Sequence, residues 1–354
     1  MQYWLFTVNE KSWPEHLATG IAAINDPLNN SKKKIELGLK DKENRQATAQ
    51  RQNPICELIG VSKGDILFFY YQQKKRIEGV FVANSDPFYD EKILAPAKTD
   101  PYIDRAFPFR VEFKHKTNYP KAVDMDEIWR LKDESKFWSI QQQRGSAVGR
   151  HACLALTRED GENLLQIFNE INPNILPKKL IKCKRHGKKK LPIELKMKNN
   201  ELNYEGALQS LMVQAFKAGK YKNVFGDYDY YMPYFPTSYQ KEIDLVLMKH
   251  DEKGQVLWYE LFELKHGVLN LDEFKNKVMR YHLWVHNSLA NNIERKIHSI
   301  CIAQNYTDDV VENARIIKEN LKFEIKLIKY KLLGKTGKLA FEEVPLETIH
   351  DIKN

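Results

Sequence analysis

Asp244, Glu263 and Lys265 are the residues whose types and spacing could do chemistry. They lie in KEIDLVLMKHDEKGQVLWYELFELK, residues 241–265, which reads as two strands joined by a turn at Asp251–Gly254. Phosphodiester hydrolysis calls for a metal ion that stabilises developing negative charge and lowers the pKa of the attacking water. Mg2+ takes oxygen ligands, commonly one or two carboxylates plus water and phosphate oxygens. A lysine beside the ion orients or deprotonates the water, or stabilises the charged transition state. Residues i and i+2 of a strand share a face, so Glu263 and Lys265 point together. A hairpin turning about Glu252–Lys253 sets Asp244 opposite Leu261, with Glu263 its diagonal neighbour about 7–8 Å away. Glu205, in the first turn of a preceding helix, could supply a third oxygen.

An acid-x-lysine triplet is common in a lysine-rich chain and equally describes solvated charges at a strand end. Two features favour a site. EIDLVLM and LWYELFEL are otherwise core-like, and charges inside such strands are costly unless paired or metal-bound. The elements around them also suit the chemistry. NYEGALQSLMVQAF is a helix whose Leu208, Leu211, Met212 and Ala215 share a face, with Glu205 where the helix dipole favours an acid. NVFGDYDYYMPYF reads as an aromatic strand, LDEFKNKVMRYHLWV (271–285) as a helix and KIHSICIAQ as a strand. TDDVVENARIIKEN is a helix with Thr307 as N-cap, and FEIKLIKYKLL is a final strand. That order predicts an α/β sandwich with a mixed sheet. Glu260, Glu242 and Asp227 are rival carboxylates, although in simple alternation Glu260 faces away from Glu263.

With those residues in place, the rear half, about 199–335, resembles the PD-(D/E)XK nuclease superfamily with its restriction-endonuclease-like fold. The matching residues are Glu205, Asp244 in EID, Glu263 and Lys265 in ELK, and a following helix with Tyr281. The resemblance implies Mg2+-dependent DNA cleavage, with Mn2+ able to substitute. It makes Asp244 and Glu263 the metal ligands and Lys265 the catalytic lysine, and Glu205 joins them as the expected third ligand from its place on the preceding helix. Ile243 stands where relatives carry a proline, and Lys277 where many carry a glutamine four residues before the tyrosine.

The front of the chain holds no comparable cluster. YWLFTV reads as a strand, and WPEHLATGIAAI as a helix beginning near Trp13. Residues 25–55 read as a long polar loop. KGDILFFYYQQ and RIEGVFVANSD read as strands joined by a turn at Gln73–Arg76. FPFRVEFK reads as a strand, and residues 115–150 have no clear pattern. Arg158–Ile171 reads as a helix with Leu164, Leu165, Ile167 and Phe168 on one face. Trp13, Phe88, Tyr89, Tyr102, Phe137 and Trp138 fall at turns and loops, where flat side chains could stack on a base or simply pack in a small barrel. YWLF, Gly64-Asp65 and the closing helix after GRHACLALT resemble the EVE/YTH-like branch of the PUA superfamily over about residues 1–170. That resemblance implies an α+β small β-barrel with helices, whose aromatic pocket reads a modified base. Trp13, Tyr89 and Tyr102 are the expected pocket residues.

A chain of 354 residues favours two domains. The expected division is a recognition domain at 1–172, a basic linker at 173–198 and a nuclease domain at 199–354. The net charge is +9, and residues 178–198 hold ten Lys/Arg against the one acid Glu194. Such a patch suits a polyanion, although a solvated linker would look the same. Lys178, Lys179, Lys184, Arg185, Lys188, Lys189 and Lys190 are the expected phosphate contacts. No apolar run reaches membrane-spanning length and no signal-peptide pattern opens the chain, so a cytoplasmic protein without a membrane partner is expected. Cys56, Cys153, Cys183 and Cys301 form no disulfide framework. His282 with His286, and Cys183 with His186, are fragments of zinc-ligand spacing without the remaining ligands.

These readings together lead to the expectation of a modification-dependent DNA endonuclease acting on double-stranded DNA with modified bases. Cutting both strands calls for a homodimer, at least transiently. The alternatives are a repair nuclease for mismatched, damaged or branched DNA, and a non-catalytic reader of modified DNA or RNA.

Overall fold

The computed structural model describes residues 1–26, 53–90, 92, 107–140, 151–177, 181, 189–193, 197–198, 201–202, 204–237, 241–293, 296–334 and 337–346. The chain forms two units, Met1–Ile193 and Glu194–Asn354. The division falls inside the basic stretch 173–198. Leu176 bridges to Asn118 and Lys189 to Tyr89, so two points of that stretch lie on the front unit. Most of the polar insert, residues 27–52, is outside the described residues. No described helix is long and apolar enough to cross a membrane.

The front unit begins with β1 (Tyr3–Val8), α1 (Trp13–Thr19) and β2 (Ile21–Ile24). GIAAI leaves the helix expected of it because Gly20 takes φ 65 and ends α1, which frees Ile21–Ile24 to pair with a later strand. A helix spans 53–59, and its first three residues take the end of the loop expected at 25–55. Its Glu57 accepts hydrogen bonds from Ala152 N at 3.0 Å and Cys153 N at 3.1 Å, and pairs with His151. Then come β3 (Ile66–Tyr71), β4 (Arg76–Ala83), β5 (Phe88–Tyr89), β6 (Phe109–Thr117), β7 (Val123–Asp124), α3 (Met125–Asp133), β8 (Cys153–Leu156) and α4 (Arg158–Ile171), the helix at 53–59 being α2. The strands order as β2-β6-β4-β3-β1-β8, with β5 on β6 and β7 on β4. Among the described residues this ladder ends at β2 and β8, a curled half-barrel sheet in place of a full small barrel.

Both faces of β1 are buried, since its residues alternate between two layers. Tyr3 and Leu5 pack with Phe68, Leu164 and Phe168 beneath α4, where the Tyr3 and Phe68 rings lie 6.4 Å apart. Gly161 makes this approach possible, because a Cβ there would sit 2.1 Å from Tyr3 Cγ. The Gly-Asp before β3 has a structural task. Gly64 takes φ 100, and Asp65 accepts from Gln2 N at 2.9 Å, Trp4 Nε1 at 3.0 Å and Ser62 N at 2.8 Å.

The rear unit holds β9 (Met197–Lys198), β10 (Glu201–Leu202), α5 (Glu205–Lys217), α6 (Lys222–Phe225), β11 (Tyr230–Pro236), β12 (Glu242–His250), β13 (Val256–Leu264) and β14 (Val268–Leu269). After these come α7 (Leu271–Glu273), a π-helical segment (Phe274–Met279), α8 (Arg280–Ser288), β15 (Ile297–Ala303), β16 (Asn305–Tyr306), α9 (Asp308–Leu321), β17 (Glu324–Leu333) and β18 (Lys338–Glu343). The main sheet is mixed, in order β11-β12-β13-β15-β17-β18, parallel only at β13–β15 and β15–β17. Strand β18 and the short α6 go beyond the elements read from sequence. Thr307 precedes α9, but its side chain makes no capping bond.

Helices cover both sheet faces. Phe216 of α5 packs on Phe262 at 5.6 Å between ring centres. Phe274 and Val278 of the π-helical segment pack with Cys301 and Tyr306 in a separate cluster. Cys301 stands beside Glu263 in the parallel ladder, and neighbouring Phe262 and Glu263 point to opposite faces. The π-helical segment therefore covers the face that carries Glu263.

Candidate functional site

Strands β12 and β13 bring the two principal carboxylates side by side. Leu245 pairs with Phe262 and Val246 with Leu261, and one further step along that register faces Asp244 with Glu263. This corrects the diagonal arrangement expected from a symmetric turn. The turn centres on Lys253, where Asp251 N bonds Gln255 O, and the register shifts again at Lys249/His250, where a bulge adds a second residue to the count. At the strand end the Asp244 side chain takes up the ladder, accepting from Leu264 N at 2.7 Å. Gln209 of α5 donates to the Asp244 carbonyl.

Two adjacent carboxylates in a place short of water resist ionising together. Burial pushes the Asp244 carboxyl well above its usual range, and Glu263 and then Glu205 add to the rise. Glu263 is 3% exposed, and burial raises its carboxyl to about 7 despite the pull of Lys277. Lys277 Nζ lies 2.5 Å from Glu263 Oε1, and Glu263 Oε2 is buried without a hydrogen-bond partner. Burial alone would lower the Lys277 ammonium, but Glu263 and Asp244 hold it above its ordinary value. Buried Tyr281, one helical turn after Lys277, has its phenol raised by burial and by the same two carboxylates.

Lys265 stands at the rim of this centre. Its backbone N donates to Ile302 O at 2.8 Å, and its Nζ pairs with Glu273 and lies 3.9 Å from Glu205 Oε2. Tyr330 OH donates to His266 O at 2.9 Å, which steadies the chain just after the triplet. Glu205 occupies the first position of α5, as its place in the sequence suggested. Of the rival carboxylates, Glu242 stays near the centre, where its charge adds to the rise of the Tyr281 phenol, and the other two lie elsewhere. Glu260 is buried and pairs with His298 at 3.7 Å, and Asp227 is exposed and pairs with Lys222 and Lys249. His282 is a core residue, with Nδ1 2.9 Å from Ser299 Oγ and its ring stacked on Phe323.

Sequence reasoning missed Glu273 and Gln209 and recorded Lys277 only as a departure from relatives. The available signals were an acid in the first turn after the triplet and a lysine beside Tyr281 on the covering helix. The π-helical turn that aims Lys277 has no simple sequence mark.

The donor set suits a divalent ion held by Asp244 and Glu263, because Oε2 of Glu263 is left over and Mg2+ is content with one or two carboxylates. Among the described residues, no three His, Cys, Asp or Glu side chains are gathered into a ready-made cage. Glu205 lies 3.9 Å from Lys265 Nζ and is near enough to raise both Asp244 and Glu263 by its charge.

The front unit contains a cavity of about 610 Å3 between α1, β4 and β6. Trp13, Phe81 and Tyr119 give it aromatic walls, and Glu78, His115 and Asn118 give it polar ones. Gly79 takes φ 57, and a Cβ there would lie 2.7 Å from the Phe81 ring, so glycine lets that ring turn back along its own strand. The Trp13 ring packs 4.8 Å from Phe69 and belongs to the core as well as to the wall. Tyr89 lies away from the lining, its backbone bonded to Lys189 and its ring 5.6 Å from Phe109. Lys189 and Lys190 are exposed. Tyr102, Lys178, Lys179, Lys184, Arg185 and Lys188 lie outside the described residues, as do Cys183 and His186.

No family model matches the chain, and no curated protein matches it. Among solved structures it is similar to a Pseudomonas putida protein from a structural genomics programme, at 15% identity and TM-score 0.28, over 47% of this chain and 99% of that one. It is also similar to the MmI1 YTH domain, at 16% identity and TM-score 0.26, over 48% and 97%. A repair endonuclease from Pyrococcus abyssi matches at 17% identity and TM-score 0.22, over 32% of this chain and 45% of that one. At such identities and TM-scores none of these likenesses assigns a residue or an activity.

Proposed function

We propose that the chain is a metal-dependent DNA endonuclease that reads a modified base with its front unit and cuts with its rear unit. The carrying observation is the cross-strand pair of Asp244 and Glu263, flanked by Lys265, Glu205 and Lys277. A divalent ion, Mg2+ or Mn2+, would be held by Asp244 and Glu263, and when bound it supplies Lewis-acid stabilisation of phosphate charge. Lys265, in this reading, orients the attacking water or meets the charge that develops on phosphate, and Glu273 and Glu205 hold its ammonium at the rim. The front cavity would take the base, with Trp13 and Phe81 as walls and Glu78 as acceptor for an exocyclic amine. The restriction role and the pairing of two copies on DNA belong to the same proposal.

The test is digestion of matched DNAs with unmodified, methylated, hydroxymethylated and glucosylated bases, with and without Mg2+. Metal-dependent cutting of a modified substrate, lost in Lys265→Ala while DNA binding persists, is the expected result. Cleavage of unmodified mismatched DNA would instead point to repair. One observation favours a non-catalytic reader: Lys277 already neutralises Glu263. Absence of cutting across the whole panel with Mg2+ and with Mn2+ would select that reading.

A further inference from the structure

The centre contains two lysines, and they are placed differently. Lys265 turns to Glu273 and Glu205 at the rim. Lys277, with 35% of its side chain exposed against 22% for Lys265, reaches the more deeply buried partner, since Glu263 is 2% exposed and Glu273 28%. The Nζ–Oε1 pairing at 2.5 Å uses one Glu263 oxygen and leaves Oε2 buried and unbonded. Asp244 faces the same residue from the next strand. An ammonium and a divalent ion answer the same need here, since each supplies positive charge to a carboxylate pair short of water. The lysine stem is long and flexible, and its partial exposure leaves a route out to solvent. It is carried by a π-helical segment, a geometry that often marks functional turns of a helix.

We infer that Lys277 is the resident cation of the Asp244–Glu263 pair and exchanges with the divalent ion at Glu263. The inference rests on reading that pair as a metal centre. Without metal, the ammonium holds the Glu263 side chain in place through Oε1. When an ion arrives, it takes over Glu263 and Lys277 withdraws towards solvent, so the lysine sets how much metal is needed to load the centre. Lys277 is thus a positioning residue whose charge competes with the ion.

Mn2+ binding to the full chain, read by the loss of the free-ion electron paramagnetic resonance signal, separates the cases. Lys277→Gln is expected to bind Mn2+ about tenfold more tightly than wild type. It should also unfold at a lower temperature in metal-free buffer and recover on adding Mn2+. Lys277→Arg, which keeps the charge, should stay close to wild type in both measurements. Equal or weaker Mn2+ binding by Lys277→Gln overturns the inference while leaving the metal centre standing. If neither wild type nor Lys277→Gln binds Mn2+, the metal-centre reading fails and the inference with it. Should Lys277→Gln not fold, reductive methylation of the wild-type chain decides by mass spectrometry. Lys277 is expected to become more reactive when Mn2+ is added, and unchanged or reduced reactivity overturns the inference.

Discussion

At the scale of single residues, the centre is a problem in neutralisation. Asp244 and Glu263 face each other across one ladder, and burial leads the forces that raise both carboxyls. Glu263→Gln removes one charge of this pair and one ligand oxygen. The expected outcome is at least a hundredfold loss of metal-dependent cutting, read as initial rate at saturating Mg2+, with the fold retained in circular dichroism. His16 offers a cleaner titration away from any metal. It is buried, and its Nδ1 lies 2.6 Å from Ile21 O, a carbonyl that only accepts, so Nδ1 carries the hydrogen in the neutral ring. Burial lowers its pKa from 6.5 to about 4. A base depressed in the folded state contributes its stability above the unfolded pKa and loses it as pH falls through the folded one. Denaturant unfolding of the wild type should therefore weaken between pH 6.5 and about 4, by up to roughly 3 kcal/mol. His16→Gln should lack that component of the slope, and an unchanged slope would refute the assignment.

At the scale of elements, each unit depends on close approaches that small local features allow. Helix α4 rests on β1 because Gly161 lets the Tyr3 ring lie against its backbone. Gly161→Ala places a methyl inside that ring's space, and overpacking of this kind costs about 1–3 kcal/mol. A lowered unfolding temperature, partly restored by Tyr3→Leu, is the expected result. In the rear unit the hairpin bulge and the π-helical segment do the comparable work. One sets Asp244 across from Glu263, and the other aims Lys277 at the pair.

At the scale of the whole molecule, the proposed division of labour makes recognition and cutting separable. Glu78 lines the front cavity and is tied to Arg76 at 2.7 Å, without a place among the described core residues. Glu78→Gln is expected to change the preference among differently modified DNAs while leaving the metal dependence of cutting as it was. Loss of cutting on every substrate alike would contradict that separation. Residues 178–198 bring ten Lys/Arg into one short stretch. If these meet phosphates, neutral substitutions there should flatten the salt dependence of DNA binding. The slope of log K against log salt should fall by about 0.9 for each phosphate that is no longer neutralised.

Much of the candidate site was legible because its signals are local. A carboxylate followed two residues later by a lysine shares a strand face whatever surrounds it, and the turn at Asp251–Gly254 returns the chain beside Asp244. Glu205 was legible as an acid in a first helical turn. Helical periodicity likewise marked α4 and α5, and aromatic, β-branched runs marked β1, β3 and β13. The rest depended on distant parts of the chain. Whether Asp244 meets Leu261 or Glu263 turned on two residues: the turn centres on Lys253, where Asp251 N bonds Gln255 O, and the bulge then adds one more. Lys277 reaches the centre because the π-helical segment packs on β15 and β17, which extend the sheet beside the strand that carries Glu263. Trp13 lines a cavity and Tyr89 does not, because Gly20 ends α1 and Tyr89 is drawn to Lys189. The sequence by itself determined which side chains were available and which of them shared a strand face or a helix turn. The tertiary structure decided which charges were buried together, since burial and pairing are properties of neighbours brought in from elsewhere in the chain.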